Sequence, residues 1–113
     1  MNQQQSDITI DDKTIGRDHP TYFIADIAAN HDGDLERAKD LIFKCKEAGA
    51  DAAKFQHFRA DTIVSDVGFK ALGDQQSHQA NWKKPVTEVY SDASVSTDWT
   101  EVLKETCDKA GIT

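Results

Sequence analysis

The chain has 113 residues, of which 38% are hydrophobic and 29% are charged, and this composition suits one small folded domain. Its formal net charge of −7 argues against a nucleic-acid-binding surface, because phosphate recognition needs clustered Lys and Arg. No apolar run reaches membrane-spanning length, and the opening MNQQQSD lacks the basic and apolar segments of a secretory signal, so we expect no membrane contact and a cytoplasmic location.

Residues 1–21 predict a polar tail followed by a small β-hairpin. Two short stretches of alternating side chains, residues 8–10 and 14–15, flank the Asp-rich turn at residues 11–13. We expect this hairpin to close the floor of a larger fold and to carry no chemistry of its own.

The next segment, residues 22–28 with the sequence YFIADIA, predicts a strand that is covered on both faces. Because side chains alternate along a strand, Asp26 lies on one face, and Phe23 and Ile27 lie on the other. The bulky face is expected to pack on helices.

A helix and a second strand follow. Asp34 predicts a helix N-cap, apolar residues then repeat at helical spacing, and Gly49 predicts a left-handed end. Residues 52–56, AAKFQ, predict a second buried strand with Lys54 and Gln56 on the face of Asp26 and with Phe55 on the helix side.

Residues 57–97 are polar and poor in periodicity, which in a compact domain indicates a functional loop or disorder. A short helix is predicted near residues 86–90. Ser96 or Thr97 is predicted to cap a further helix that ends at Gly111, and residues 112–113 resemble the first step of a third strand.

Alternation of strand and helix predicts an α/β fold. Two strand–helix units cannot bury both faces of a parallel sheet, and a (β/α)8 TIM barrel needs about 250 residues. We therefore interpret residues 22–113 as the amino-terminal part of a TIM barrel, truncated before its third strand.

Asp26, Lys54 and Gln56 are the candidate chemical residues, because polar side chains are unexpected in buried strands. A buried charge needs a partner, so Asp26 and Lys54 either form a structural ion pair or serve a ligand. In the second case Asp26 accepts hydrogen bonds or transfers a proton, Lys54 binds an anion or acts as an amine nucleophile, and Gln56 recognises hydroxyl groups.

Other polar residues favour structural roles. Asn30 and His31 follow the first strand, and a lone loop histidine is more often a structural hydrogen-bonding residue than a metal ligand. Cys45 and Cys107 each stand alone in a helical pattern, which favours reduced thiols over zinc or a disulfide. No metal-ligand spacing is present.

Two linked motifs resemble the N-acetylneuraminate (sialic acid) synthase family. Residues 24–34 read IADIAANHDGD, and residues 48–56 read AGADAAKFQ. The family pattern is approximately A-E-I-x-x-N-H-x-G, a helix, and then E-A-G-A-D-A-V-K-F-Q. The likeness covers most of residues 20–65, and this chain has Asp26 where the family usually has Glu.

The resemblance implies a TIM barrel that condenses phosphoenolpyruvate with an N-acetylated sugar aldehyde, such as N-acetylmannosamine or a bacterial analogue, to give a sialic-acid-type nonulosonate. It implies a divalent metal, Mn²⁺ or Mg²⁺, whose ligands are expected outside this chain. Lys54 would contact phosphoenolpyruvate, Gln56 and Asp26 the sugar, and Asn81 is a further candidate for substrate contact. A homodimer is expected at full length.

Two alternatives stay open. One is another barrel that uses phosphoenolpyruvate or forms a Schiff base at Lys54. The other is a non-catalytic sugar-binding module, although the exposed faces of a lone two-stranded sheet would then invite association.

Overall fold

A computed structural model describes residues 6–63, 65, 67–68, 86–93 and 95–113. In chain order the described elements are β1 (Ile8–Ile10), β2 (Lys13–Ile15), β3 (Ile24–Ala28), α1 (Leu35–Glu47), β4 (Ala52–Phe55), α2 (Ala60–Ile63), α3 (Val86–Ala93) and α4 (Trp99–Ala110). The alternation of strand and helix confirms the α/β class, and these elements alone do not close a barrel.

Strands β3 and β4 form a parallel pair that α1 connects. The chain end continues this pairing: the Thr113 amide donates to Asp51 O at 3.2 Å, and the Ala53 amide donates to Thr113 O at 2.7 Å. These two bonds flank Ala52 in the manner of parallel strands. Residues 112–113 therefore lie where a third parallel strand would begin beside β4, as their sequence predicts.

One face of the parallel pair packs on α1 and α4. The buried hydrophobic residues of this core are Ile27, Ala38, Ile42, Val95, Leu103, Cys107 and Ile112. Helix α1 contributes the apolar stripe that its spacing predicts, and α4 contributes a second. Both cysteines are unpaired, and burial raises the pKa of each thiol.

The helix boundaries follow capping chemistry. The Asp34 carboxylate accepts from the Arg37 amide at 3.2 Å, and Gly49 has φ 95° just beyond the end of α1. Gly111 likewise ends α4 in the left-handed region. Helix α4 begins later than predicted, because the Ser96 hydroxyl accepts from the Asp98 amide at 3.4 Å in a turn that precedes the helix.

The hairpin forms where its pattern predicts it. Asp11 and Asp12 both have positive φ, 43° and 66°, as a two-residue turn of the primed type requires. Lys13 pairs with the Asp51 carboxylate, and the Thr113 hydroxyl donates to Asp11 at 2.7 Å. The hairpin thus lies at the amino-terminal ends of the parallel strands.

Strand β3 begins two residues later than predicted. The Phe23 carbonyl accepts from the Asp51 and Ala52 amides, but its side chain is 61% exposed and lies outside the core. The prediction that Phe23 packs on the helix side is wrong, because Phe23 precedes the part of the sheet that the described helices cover. Ile27 and Phe55 do pack there.

The long polar segment contains two described helices. Helix α3 confirms the predicted short helix and extends it, whereas the four-residue α2 was not predicted. Asn81 lies outside the described residues. Within the described ranges, no helix is long and apolar enough to span a membrane.

The Asp51 carboxylate links the hairpin to the start of the parallel strands. It accepts from the Lys13 ammonium and, at 2.8 Å, from the Phe23 amide, and these bonds lower the pKa of Asp51. A lowered folded pKa means that the stabilisation is complete above the unfolded pKa and is lost as pH falls through the folded pKa. We expect Asp51→Asn to lower the Tm at pH 7, and the difference from wild type to close in acid.

Asp18→Asn is the matched control. It removes the same charge from an exposed carboxylate that makes no hydrogen bond among the described residues. Thermal melts of the three proteins from pH 2 to pH 8 measure the effect. Equal Tm shifts in both variants, or a shift in Asp51→Asn that is independent of pH, would contradict this account.

Candidate functional site

The site is organised by the register of the parallel strands. Asp26 and Lys54 are direct cross-strand partners, and both side chains are exposed on the face opposite the helices. Ile27, Ala53 and Phe55 pack on the other side. The period-two pattern therefore places the acidic and basic candidates together, as predicted.

Asp26 and Lys54 do not form the structural ion pair that the sequence left open. Among the residues that the structure describes, neither side chain makes a salt bridge or hydrogen bond with the other or with a third group. The expectation that both charges are buried is also wrong for this chain, because no described element covers that face. A cation and a carboxylate side by side are left available for a ligand.

Polar residues continue along the chain at the carboxyl end of β4. Gln56 and His57 are exposed directly after the strand, and the alternation of β4, continued by one residue, predicts Gln56 on the side of Lys54. Beyond them opens a groove of about 570 Å³. Its lining residues are Phe58, Arg59, Ala60, Asp61, Ser91, Val95, Ser96 and Thr97.

The groove is held by contacts between α2, α3 and the strand end. The rings of Phe58 and Tyr90 meet edge to face with centroids 5.6 Å apart. The Arg59 guanidinium pairs with Asp61 at 3.1 Å. The groove thus adjoins the carboxyl ends of the strands, where parallel α/β proteins bind substrates.

A bulge shapes the end of β3. Asp26 pairs with Lys54, but Ala28 pairs with Phe55, so Ile27 is an extra residue on this strand. Ala28 has φ 50°. Asn30 fixes this conformation, because its amide and its side-chain Nδ2 both donate to the Ile27 carbonyl, at 3.0 and 2.8 Å.

His31 is completely buried, at 0% exposure. Its Nδ1 accepts from the Gly33 amide at 3.0 Å. Burial lowers the pKa of His31 below its ordinary value of 6.5, the Asp32 carboxylate opposes this shift, and His57 reinforces it. The structure agrees with the structural role favoured by the sequence.

Sequence reasoning found the strand residues but missed the groove and the burial of His31. Alternation in a strand is visible in one short segment. The groove, by contrast, forms between α2, α3 and the end of β4, and this tertiary packing cannot be predicted from a local sequence pattern. The sequence NHDG gave a turn signal, but a single loop histidine has no periodic neighbours that would reveal its burial.

Comparisons with known proteins find relatives of this chain. A sequence profile of the NeuB family matches residues 41–113. The N,N'-diacetyllegionaminic acid synthase of Legionella pneumophila is 36% identical over 88% of this chain and 28% of its own length. The human N-acetylneuraminate-9-phosphate synthase is 35% identical over 87% of this chain and 26% of its own length.

A solved structure is also similar. The sialic acid synthetase of Leptospira borgpetersenii, in complex with citrate, matches 95% of this chain and 32% of its own chain, with TM-score 0.71 and 26% identity. The chain thus spans about a quarter to a third of the length of these relatives.

The open arrangement of Asp26 and Lys54 can be tested by a double-mutant cycle. Because the two side chains are exposed and unpaired, we expect Asp26→Asn, Lys54→Met and the double variant to show a coupling energy below about 0.5 kcal/mol. Urea denaturation of the four proteins measures it. A coupling above about 1 kcal/mol would instead establish a stabilising cross-strand ion pair.

Proposed function

Because the chain belongs to the NeuB family, we propose that it forms part of an enzyme that condenses phosphoenolpyruvate with an N-acetylated sugar aldehyde. Carbon 3 of phosphoenolpyruvate attacks the aldehyde carbon, water adds to carbon 2, and phosphate leaves. The products are a nonulosonate of the sialic acid type and inorganic phosphate. The observation that carries the proposal is the unpaired Asp26–Lys54 arrangement on one face of adjacent parallel strands.

Lys54 is the proposed ligand of phosphoenolpyruvate. An ammonium group that has no partner among the described residues suits a substrate that carries a phosphate and a carboxylate. Its place on a strand holds the ammonium at a fixed depth below the strand ends, and this orients the three-carbon unit toward the aldehyde. The neighbouring Asp26 carboxylate disfavours an anion beside itself, so it directs the phosphate away from β3.

Asp26 and Gln56 are the proposed ligands of the sugar. A carboxylate accepts hydrogen bonds from hydroxyl groups, and a side-chain amide both donates and accepts, so together they can orient a polyol. Asp26 is one methylene shorter than the Glu usual in the family, so its carboxylate stays closer to the strand. Asn81 remains a proposed contact in the same role.

The resemblance also implies a divalent metal. Across the described ranges, no group of three His, Cys, Asp or Glu side chains lies close enough to hold a metal ion. Asp26 and Gln56 by themselves do not make a binding set for such an ion, and their proposed roles involve direct contact with the sugar. The metal ligands are proposed to lie outside these 113 residues.

The reaction itself is tested with the full-length enzyme. Phosphoenolpyruvate and N-acetylmannosamine should give inorganic phosphate and an equal amount of nonulosonate, which mass spectrometry identifies. Borohydride added during turnover should leave Lys54 unmodified. A reduced adduct on Lys54 would support the Schiff-base alternative instead.

The 113-residue chain alone should be catalytically silent. It covers only about a quarter to a third of its relatives, and electrostatic stabilisation of a transition state needs the complete set of surrounding groups. Phosphate release from phosphoenolpyruvate and N-acetylmannosamine should equal the background without protein. Release above that background would show that these residues suffice.

Lys54→Met in the full-length enzyme tests the role of the ammonium group. Methionine keeps much of the stem and removes the charge, so phosphoenolpyruvate binding should weaken by about 2–5 kcal/mol, the usual loss when one partner of a desolvated charge pair is truncated. Sugar binding should change far less. Calorimetric titration with each ligand measures both.

Lys109→Met is the control, because exposed Lys109 lies in the last turn of α4, away from the strand face. It should leave both affinities unchanged. Unchanged phosphoenolpyruvate affinity in Lys54→Met, together with lower stability, would mean that Lys54 has a structural role only.

A further inference from the structure

His31 differs from the other polar residues near the strand ends. Asp26, Lys54 and Gln56 are exposed, whereas the His31 ring is wholly buried and its Nε2 has no hydrogen-bond partner in the part of the chain that the structure describes. The Gly33 amide donates to Nδ1, so the neutral ring carries its proton on Nε2. We assign the tautomer from this bond.

Two helices enclose the His31 loop. The Trp99 indole, at the start of α4, meets the imidazole edge to face with centroids 5.3 Å apart and planes at 74°. A Cβ on Gly33 would lie 3.6 Å from the Asp92 carbonyl oxygen of α3, so α3 approaches the same loop. The His31 ring therefore packs on the start of α4, and α3 lies close to the same turn at Gly33.

The backbone here needs such support. Ala28, Asp32 and Gly33 all have positive φ, at 50°, 52° and 74°. Ala28 keeps this conformation only where its surroundings enforce it, whereas Asp32 and Gly33 tolerate it more readily. Asn30 enforces it at the bulge through the Ile27 carbonyl, and His31 enforces it at the following turn through the Gly33 amide.

We propose that His31 is a positioning residue: its neutral imidazole fixes the loop after β3 and thereby the direction of the Asp26 carboxylate. The link runs through the bulge, because Asp26 is the last regularly paired residue before it. This inference rests on the proposed function for what Asp26 does, but the loop geometry is independent of that function.

Protonation would disrupt this arrangement. An imidazolium Nδ1 cannot accept from the Gly33 amide, and it would place a charge in a buried site. Around the ring, the loop presents Asp32, whose carboxylate also pairs with Arg37 of α1 at 3.4 Å. His57 follows β4, and α4 presents the uncharged Trp99 to the ring, while α3 brings the Asp92 carbonyl oxygen close to Gly33.

Nuclear magnetic resonance of the chain, labelled with ¹⁵N at histidine and at the backbone, tests the geometry without any variant. His31 should show the Nε2–H tautomer, should stay neutral below pH 6.5, and should protect the Gly33 amide from exchange with solvent. An Nδ1–H tautomer, or titration near 6.5 without a change at Gly33, would overturn the proposal.

Two variants of the full-length enzyme then separate positioning from packing. His31→Phe keeps a ring against Trp99 and removes the acceptor, whereas His31→Asn keeps an acceptor for the Gly33 amide. We expect kcat to fall about tenfold to a hundredfold in His31→Phe, with the KM for phosphoenolpyruvate little changed, and to recover most of that loss in His31→Asn.

Wild-type kcat in His31→Phe, or an equal loss in both variants, would overturn the positioning role. If His31→Phe does not fold, the resonance measurements on the unsubstituted chain still decide the question. If the unsubstituted full-length enzyme shows no turnover, the proposed function fails, and the resonance data separately support or overturn the loop geometry.

Discussion

The register between β3 and β4 is the constraint on which the rest of the structure depends. It puts Asp26 opposite Lys54 and aligns the carboxyl ends of both strands. A shift by one residue would turn Lys54 toward the helices and Ala53 toward the open face. The core prevents that shift, because Ile27, Ala53 and Phe55 must all face α1 and α4 to be covered.

The two ends of the strands are fixed by different interactions. At the amino end Asp51 accepts from Lys13 and from the Phe23 amide, so one carboxylate joins the hairpin, the start of β3 and the start of β4. At the carboxyl end the Asn30 and His31 side chains hold a bulge and a tight turn. In parallel α/β barrels the amino end of the strands usually contributes stability, and the carboxyl end usually carries the active site.

Local rules account for what the sequence predicted correctly. Asp34 and Gly49 bound α1 because capping depends on near neighbours, and the Asp11-Asp12 turn forms because short polar side chains tolerate positive φ. The alternation of side chains along β4 likewise predicted that Lys54 and Phe55 lie on opposite faces of the sheet.

The errors concern features that only tertiary structure decides. Phe23 is apolar and, by the alternation of the strand, lies on the same side as Ile27, but the described helices do not extend over it. The bulge at Ile27 inserts one residue into a run that looks regular, and no composition signal marks it. The predicted burial of Asp26 and Lys54 is wrong because no described element covers their face of the sheet.

The most direct measurement is a crystal structure of the full-length enzyme with phosphoenolpyruvate bound. The account predicts Lys54 Nζ within about 3.2 Å of a phosphate or carboxylate oxygen of the ligand, with the Asp26 carboxylate on the same side of the strands and not paired with Lys54. Phosphoenolpyruvate bound elsewhere, with Lys54 Nζ paired to Asp26, would contradict it.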